Sequence, residues 1–177
     1  MHKIVLVISV VSLLFAVYFG WFWHVPNELN HVPDVTLRII DGREINLKNL
    51  QGRPVLVTFW ATTCRGCIKE IPHLKALYEE LAPKGLEIIG VAMAYDPPNQ
   101  ILAMSIKERI PYTIALDIDG NIANAFGNIV NTPTSFLISP DGKIVVHNIG
   151  EINMQSLRES IITILSAQEK ITSKQTS

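Results

Sequence analysis

The hydrophobic positions of this chain form one long block near the amino terminus and a series of shorter blocks farther on. Residues 4–23 carry no charge, and seventeen of these twenty residues are apolar. Twenty helical residues at ~1.5 Å each match the ~30 Å hydrocarbon core of a bilayer. The block ends in three aromatic residues, 21–23, which are typical of a membrane interface. The pattern predicts that residues 1–23 form a signal anchor, a single transmembrane helix.

The alternative for this block is a cleaved signal peptide. An apolar run of twenty residues is longer than the apolar segment of about 7–15 residues that signal peptides usually have. Cleavage after Gly20 would place the aromatic Tyr18 at the −3 position, where signal peptides have a small residue. Both features favour an anchor that is retained. Lys3 precedes the block and the first Lys or Arg after it is Arg38, so the positive-inside rule predicts that the rest of the chain lies outside the cytoplasm. Residues 24–33, with two prolines, are expected to form a tether.

The shorter blocks predict alternating strands and helices. Runs rich in β-branched residues predict strands, and apolar residues three and four positions apart predict helices. We expect strands at 35–40, 43–47, 55–60, 86–93, 113–116, 135–138 and 143–149, and helices at 65–81, 99–109, 154–166 and a short one ending near 126.

The order of these elements indicates one domain over residues 34–167, followed by a polar, frayed tail at 168–177. Asp-Gly pairs at 41–42 and 141–142 predict hairpins at the start and near the end of the domain. The β-α-β stretches between them imply parallel strands. The predicted fold class is therefore α/β, a mixed central sheet with helices on both faces. Pro72 is expected to kink the helix at 65–81.

Composition and charge exclude several kinds of function. The 177 residues carry a net charge of −1, which gives no electrostatic reason to expect a nucleic-acid partner. Two cysteines are too few for a four-thiolate zinc site or for a framework of several disulfides.

The candidate chemistry lies in the sequence Cys64-Arg65-Gly66-Cys67, between the predicted strand at 55–60 and the helix at 65–81. Free N–H groups and the helix dipole favour an anion at a helix N-terminus, so this position lowers the pKa of Cys64 and activates its thiolate. Arg65 adds a neighbouring cation. Cys67 is close enough to form a disulfide across one turn. A redox-active pair is the prediction, and the alternatives are a two-thiolate metal site and an inert disulfide.

The surrounding sequence, FWATTCRGCIKEIP at 59–72, resembles the active-site segment of membrane-anchored thioredoxin-like proteins of the TlpA/ResA type. The resemblance extends over roughly residues 33–166 and includes Gly-Arg-Pro at 52–54, Thr-Pro-Thr at 132–134 and Pro-Asp-Gly-Lys at 140–143. It implies a thioredoxin-like fold and an extracytoplasmic thiol-disulfide oxidoreductase, a class in which several members serve cytochrome c maturation. It further implies disulfide-containing client proteins, a membrane thiol reductase as electron donor, and no cofactor or metal.

The resemblance also assigns roles to individual residues. Pro133 is expected to be a cis-proline that faces the two cysteines, with the backbone of Thr132 presented to a client peptide. Glu70 matches the family's active-site glutamate, which is expected to move protons to and from Cys67. The alternative for Glu70 is a solvated helix charge paired with a neighbouring lysine.

Two positions near the cysteines differ from related proteins. Thioredoxins carry a buried aspartate where this chain has Thr58, whose hydroxyl cannot act as a base near neutral pH. Thr63 stands where the TlpA/ResA family commonly has an aromatic residue, which leaves Cys64 less shielded. Trp60 is retained and is expected to pack beneath the active-site loop. Ala61 stands where a peroxiredoxin has threonine, so that class is not predicted.

The direction of the reaction and one rival function remain open at this point. The helix dipole and Arg65 favour an oxidant, whereas the resemblance favours a reductant, which is our prediction. The rival is a periplasmic copper chaperone that uses Cys64, Cys67 and a histidine. His73 and His147 are instead expected to be a surface residue and a structural residue.

Overall fold

The computed structural model describes Phe15 and residues 29–175. The predicted anchor at 1–23, apart from Phe15, and residues 24–28 of the predicted tether lie outside these residues. In the part of the chain that the structure describes, no helix is long and apolar enough to cross a bilayer.

Within residues 29–175, seven strands form one mixed sheet. They are β1 (Thr36–Ile39), β2 (Glu44–Asn46), β3 (Val55–Trp60), β4 (Glu87–Ala92), β5 (Thr113–Leu116), β6 (Thr134–Ile138) and β7 (Ile144–Ile149). The spatial order is β2-β1-β5-β4-β3-β6-β7. Strands β3, β4 and β5 are mutually parallel, and the other neighbours pair antiparallel. The predicted mixed sheet and amino-terminal hairpin are confirmed.

Four α-helices connect or follow these strands in the same part of the chain. They are α1 (Arg65–Leu81), α2 (Pro98–Lys107), α3 (Asn121–Ala125) and α4 (Met154–Gln175). Helix α1 continues through Pro72 and has the predicted bounds. Helix α4 continues to Gln175, so the predicted helix end at residue 166 was wrong. The sequence at 167–175 contains no glycine or proline to stop the helix, and a polar composition alone does not end one.

The core consists of two apolar clusters, one on each face of the sheet. All six residues of β3 are buried, as expected of a central strand. Leu56 and Trp60 contribute to the cluster that also contains residues of α1, α2 and α4. Val57 and Phe59 contribute to the opposite cluster, which α3 joins. Since β3 is fixed from both faces, its carboxyl end is a rigid support for the residues that follow it.

Candidate active site

The two cysteines lie where the end of β3 turns into α1. Cys64 is the N-cap of α1, and its Sγ accepts a hydrogen bond from the backbone N–H of Cys67 at 3.2 Å. The two residues form a disulfide, with their Cα atoms 5.3 Å apart. An N-cap sulfur accepts from an N–H group that would otherwise lack an intrahelical partner, so the same group can stabilise a thiolate after reduction. The predicted position of Cys64 at the helix start is confirmed.

The two sulfur-bearing residues differ in exposure. Cys67 is 3% exposed, whereas Cys64 is only partly buried. Thr63 and Arg65, on either side of Cys64, are both exposed. A protein partner can therefore reach Cys64 but not Cys67, which is the asymmetry expected of an attacking and a resolving cysteine.

The Thr132–Pro133 peptide bond is cis, as the resemblance implies. Pro133 is buried, and its Cδ lies 3.4 Å from the position that a Cβ on Gly66 would occupy. The proline ring therefore faces the turn between the two cysteines. The carbonyl of Pro133 accepts a hydrogen bond from the N–H of Gly150 at 2.8 Å, which links this loop to the segment between β7 and α4.

Glu70 is buried in the second turn of α1, at 5% exposure. Its Oε1 accepts a hydrogen bond from the backbone N–H of Ile152 at 2.7 Å. Burial raises the pKa of this carboxyl, the hydrogen bond from Ile152 lowers it, and the nearby charge of Glu151 raises it; the net direction is upward. The alternative of a solvated Glu70 paired with a lysine was wrong. Lys69 pairs instead with Glu151, at 3.5 Å.

A small cavity of about 10 Å³ connects Glu70 with the sulfur side of the site. That volume is close to the ~10–15 Å³ needed for one water molecule. The cavity is lined by Thr58, Trp60, Cys67, Glu70, Ile71, Leu74 and Tyr112. Burial and the charge of Glu70 both raise the pKa of the Tyr112 phenol. These contacts bring the predicted resolving cysteine and the predicted proton carrier to one internal space.

Trp60 and Thr58 form the floor of this cavity. Trp60 is 5% exposed and lies beneath the active-site turn, as expected. Its indole Nε1 is buried and has no hydrogen-bond partner among the described residues, which is rare for a buried N–H group. The hydroxyl of Thr58 accepts from the hydroxyl of Ser135 at 3.0 Å. The position that carries a buried aspartate in thioredoxins is therefore occupied here by the neutral Thr58, which is bound to the neutral Ser135.

Asp96 is a component of the site that sequence reasoning missed. It is 4% exposed, and its two carboxylate oxygens accept hydrogen bonds from the backbone N–H of Thr62 at 2.6 Å and from the Thr62 hydroxyl at 2.7 Å. In the sequence, Asp96 is followed by Pro97 and Pro98, a pattern that predicts only a break between elements. An aspartate directly before a proline pair gives no local signal of a partner 34 positions earlier in the chain.

The histidines lie away from the cysteine pair. His73 is exposed, as expected. His147 stacks on Phe136 with ring centroids 4.3 Å apart, in agreement with a structural role. Among the described residues, no group of three or more His, Cys, Asp or Glu side chains is arranged to hold a metal ion.

A larger cleft of about 690 Å³ lies beside β6 and β7. Its lining contains Asn131 and Thr134, which flank the cis-proline loop, but neither cysteine. The cleft is therefore adjacent to the redox site and separate from it.

A disulfide at the N-terminus of a helix, opposite a cis-proline and on this mixed sheet, defines a thioredoxin-like redox protein. Comparison with known proteins gives the same class and narrows it. The AhpC/TSA family model matches residues 29–147. The thiol-disulfide oxidoreductase ResA of Bacillus thuringiensis subsp. konkukian is 32% identical over 159 residues, which cover 88% of this chain and 90% of that protein. The chain belongs to the ResA/TlpA-type family of thiol-disulfide oxidoreductases, and it is a redox enzyme.

Two solved structures support the fold. StoA from Bacillus subtilis superposes with a TM-score of 0.61 at 26% identity, covering 73% of this chain and 97% of that one. A thiol:disulfide interchange protein of the thioredoxin family from Chlorobium tepidum superposes with a TM-score of 0.70 at 22% identity, covering 80% of this chain and 99% of that one. At this identity the second similarity concerns the fold alone.

Proposed function

We propose that this enzyme is a membrane-tethered, extracytoplasmic reductant of protein disulfides. The observation that carries the proposal is the buried Glu70 carboxyl behind Cys67, on the side of the disulfide that a client cannot reach. A carboxyl whose pKa is raised by burial can accept a thiol proton and later return it.

The reaction begins with the reduced pair. The Cys64 thiolate attacks one sulfur of a client disulfide, which forms a mixed disulfide and releases the other client sulfur as a thiolate that takes up a proton. Cys67 then transfers its proton to Glu70, and its thiolate attacks Cys64. This attack breaks the mixed disulfide and releases the second client sulfur as a thiolate, which takes up a proton from water while Glu70 returns its proton to water. The client leaves as a dithiol and the enzyme as the Cys64–Cys67 disulfide, so the client gains two electrons and two protons.

The cis-proline loop is the proposed client-binding surface. Because the ring of Pro133 faces the turn between the cysteines, an extended client segment held along Thr132 would have its disulfide next to Cys64. The exposed Thr63 leaves this approach open.

The membrane tether and the extracytoplasmic location are supported by the sequence of residues 4–23 and by the position of Lys3 before them. A reductant outside the cytoplasm needs a continuing supply of electrons, and a membrane thiol reductase is the proposed donor. Apocytochrome c in cytochrome maturation is one proposed client. Protease treatment of cells whose cytoplasmic membrane is intact but whose outer layers have been removed tests the location. An extracytoplasmic domain would be degraded, and a cytoplasmic domain would be protected.

The reduction potential of the Cys64–Cys67 pair tests the direction. Equilibration of the full-length protein with defined glutathione mixtures should give a potential at or below the glutathione pool, roughly −220 mV or lower. A potential near that of the oxidant DsbA, roughly −120 mV, would contradict a reductant. Titration of the reduced protein with Cu(I) examines the rival function. Stoichiometric binding lost in Cys64→Ser, without any disulfide reduction by the wild type, would favour a copper chaperone.

A further inference from the structure

We propose that Asp96 is a positioning residue that fixes the turn before Cys64 and, through its buried charge, makes the cysteine pair a stronger reductant. This inference rests on the proposed function as a reductant. Asp96 lies outside the cysteine motif, and its side-chain hydrogen bonds are to Thr62 rather than to either sulfur.

The carboxylate of Asp96 is held in a fixed geometry. Both oxygens of Asp96 bind the same residue, Thr62, one through the backbone N–H and one through the hydroxyl. Two hydrogen bonds to one residue fix both distance and orientation. Because Thr62 is two residues before Cys64, this contact sets the path of the backbone that leads into α1.

Backbone hydrogen bonds support Asp96 from behind. Its N–H donates to the carbonyl of Met93 at 2.9 Å, and the N–H of Met93 donates to the carbonyl of Trp60 at 3.1 Å. The turn after β4 is thus bonded to the end of β3, and Asp96 closes the connection by binding Thr62. Since β3 and β4 are neighbouring parallel strands of the core, the carboxylate is held by rigid elements.

The carboxylate of Asp96 carries a buried charge. Asp96 forms no ion pair with a Lys, Arg or His among the described residues, so its charge is balanced only by hydrogen bonds. Buried charges are screened much less than exposed ones. A negative charge at this position disfavours the Cys64 thiolate.

The charged groups at the turn that contains Cys64 and at the residues leading into it come from three elements. Helix α1 contributes its N-terminal dipole and the exposed Arg65, which favour the thiolate, with Lys69 and Glu70 one turn farther on. The segment before α4 contributes Glu151, and the turn after β4 contributes Asp96. A stabilised thiolate makes a dithiol pair more oxidising. The charge of Asp96 therefore opposes the stabilisation of the thiolate by the helix dipole and Arg65, the two sequence features that favour an oxidant.

The test compares Asp96→Asn with the wild-type full-length protein. Asparagine has nearly the same shape and removes the charge. We expect the equilibrium constant for reduction by glutathione to rise about tenfold, which equals a potential about 30 mV less negative. The pKa of the Cys64 thiol, measured from the pH dependence of its alkylation, should fall. Asp96→Ser, which also removes the charge, should shift both quantities in the same direction.

Two controls separate charge from structure. Asp117 is a matched residue, 3% exposed, with both oxygens bound to the N–H groups of Ile122 and Ala123 at the start of α3. Asp117→Asn should lower stability without moving the potential. Thr62→Val removes one hydrogen bond and keeps the charge of Asp96. It should therefore change the equilibrium constant for reduction by glutathione less than threefold. Equal shifts in Thr62→Val and Asp96→Asn, or no shift in Asp96→Asn and Asp96→Ser, would overturn the proposal. A wild-type potential close to that of DsbA would instead refute the reductant function, whatever the variants show.

Discussion

The carboxylate of Glu70 and the backbone N–H of Ile152 are joined by a hydrogen bond of 2.7 Å between residues 82 positions apart in the chain. The bond connects α1, which carries the cysteines, to the segment before α4. The neighbouring Gly150 binds the carbonyl of Pro133, so one short segment contacts both the proton carrier and the cis-proline loop. A change in the protonation of Glu70 acts directly on this connection.

The pH dependence of disulfide exchange should report Glu70. Only the ionised carboxylate can accept the proton of Cys67, so the resolving step should accelerate as the pH rises through the raised pKa of Glu70. Glu70→Gln keeps an acceptor for the Ile152 N–H and removes the titration. We expect the variant to lose this limb of the pH profile and to resolve the mixed disulfide about 10²-fold more slowly. Stopped-flow measurement of single-turnover exchange between pH 4 and 9 examines this. An unchanged profile would remove Glu70 from the mechanism.

The stability of the fold should depend on the same carboxyl. Because the pKa of Glu70 is higher in the folded chain than in the unfolded chain, its contribution is fully present below the unfolded pKa and is lost as the pH rises through the folded pKa. The free energy of unfolding of Glu70→Gln relative to the wild type should therefore increase with pH over that window. Urea titrations at several pH values measure the difference. Glu79→Gln, at an exposed position on the same helix, serves as the matched control.

The different exposure of the two cysteines predicts which variant traps a client. Cys67→Ser keeps the accessible Cys64 and removes the resolving thiol, so mixed disulfides with clients should accumulate. Cys64→Ser leaves only a thiol that is 3% exposed, and it should trap little or nothing. Non-reducing gel electrophoresis after acid quenching detects the adducts. Equal trapping by the two variants would contradict the assignment of Cys64 as the attacking residue.

Local patterns predicted most of the fold. The Asp-Gly pair at 41–42 predicts the first hairpin, because a tight turn requires particular residues at adjacent positions. The apolar residues at 55–60 predict the central strand, because a strand buried on both faces is apolar at consecutive positions. The cysteine pair was predicted for the same reason, since its spacing and its place before a helix are both local. The end of α4 was missed because a helix continues until something stops it, and a polar sequence does not.

The rest of the site depends on contacts between distant residues. The Ile152 partner of Glu70 is a backbone group, which no side-chain pattern can indicate. Asp96 binds Thr62 only because β3 and β4 lie side by side. Single-sequence reasoning therefore finds the reacting atoms here and misses the residues that hold them in place.

A side chain at position 66 should affect the protein through its contact with Glu151 rather than through backbone freedom. Alanine is favoured over glycine in a helix by ~1 kcal/mol, so propensity alone predicts that Gly66→Ala stabilises the protein. However, a Cβ at this position would lie 3.2 Å from both the Cγ and Oε1 of Glu151 and 3.4 Å from the Cδ of Pro133. We expect Gly66→Ala to displace Glu151, to weaken the adjacent Ile152–Glu70 hydrogen bond and to slow exchange severalfold.

A double-mutant cycle tests this relationship. Glu151→Ala removes the atoms that the new methyl group would meet, so Gly66→Ala should be better tolerated in that background than in the wild type. The interaction energy between the two changes, obtained from urea unfolding and from exchange rates, should be favourable by at least ~0.5 kcal/mol. Glu151→Ala alone also removes the ion pair with Lys69, but an exposed pair contributes little, so its own effect on stability should be small. Strictly additive effects would mean that Gly66 is required for another reason, such as its contact with Pro133.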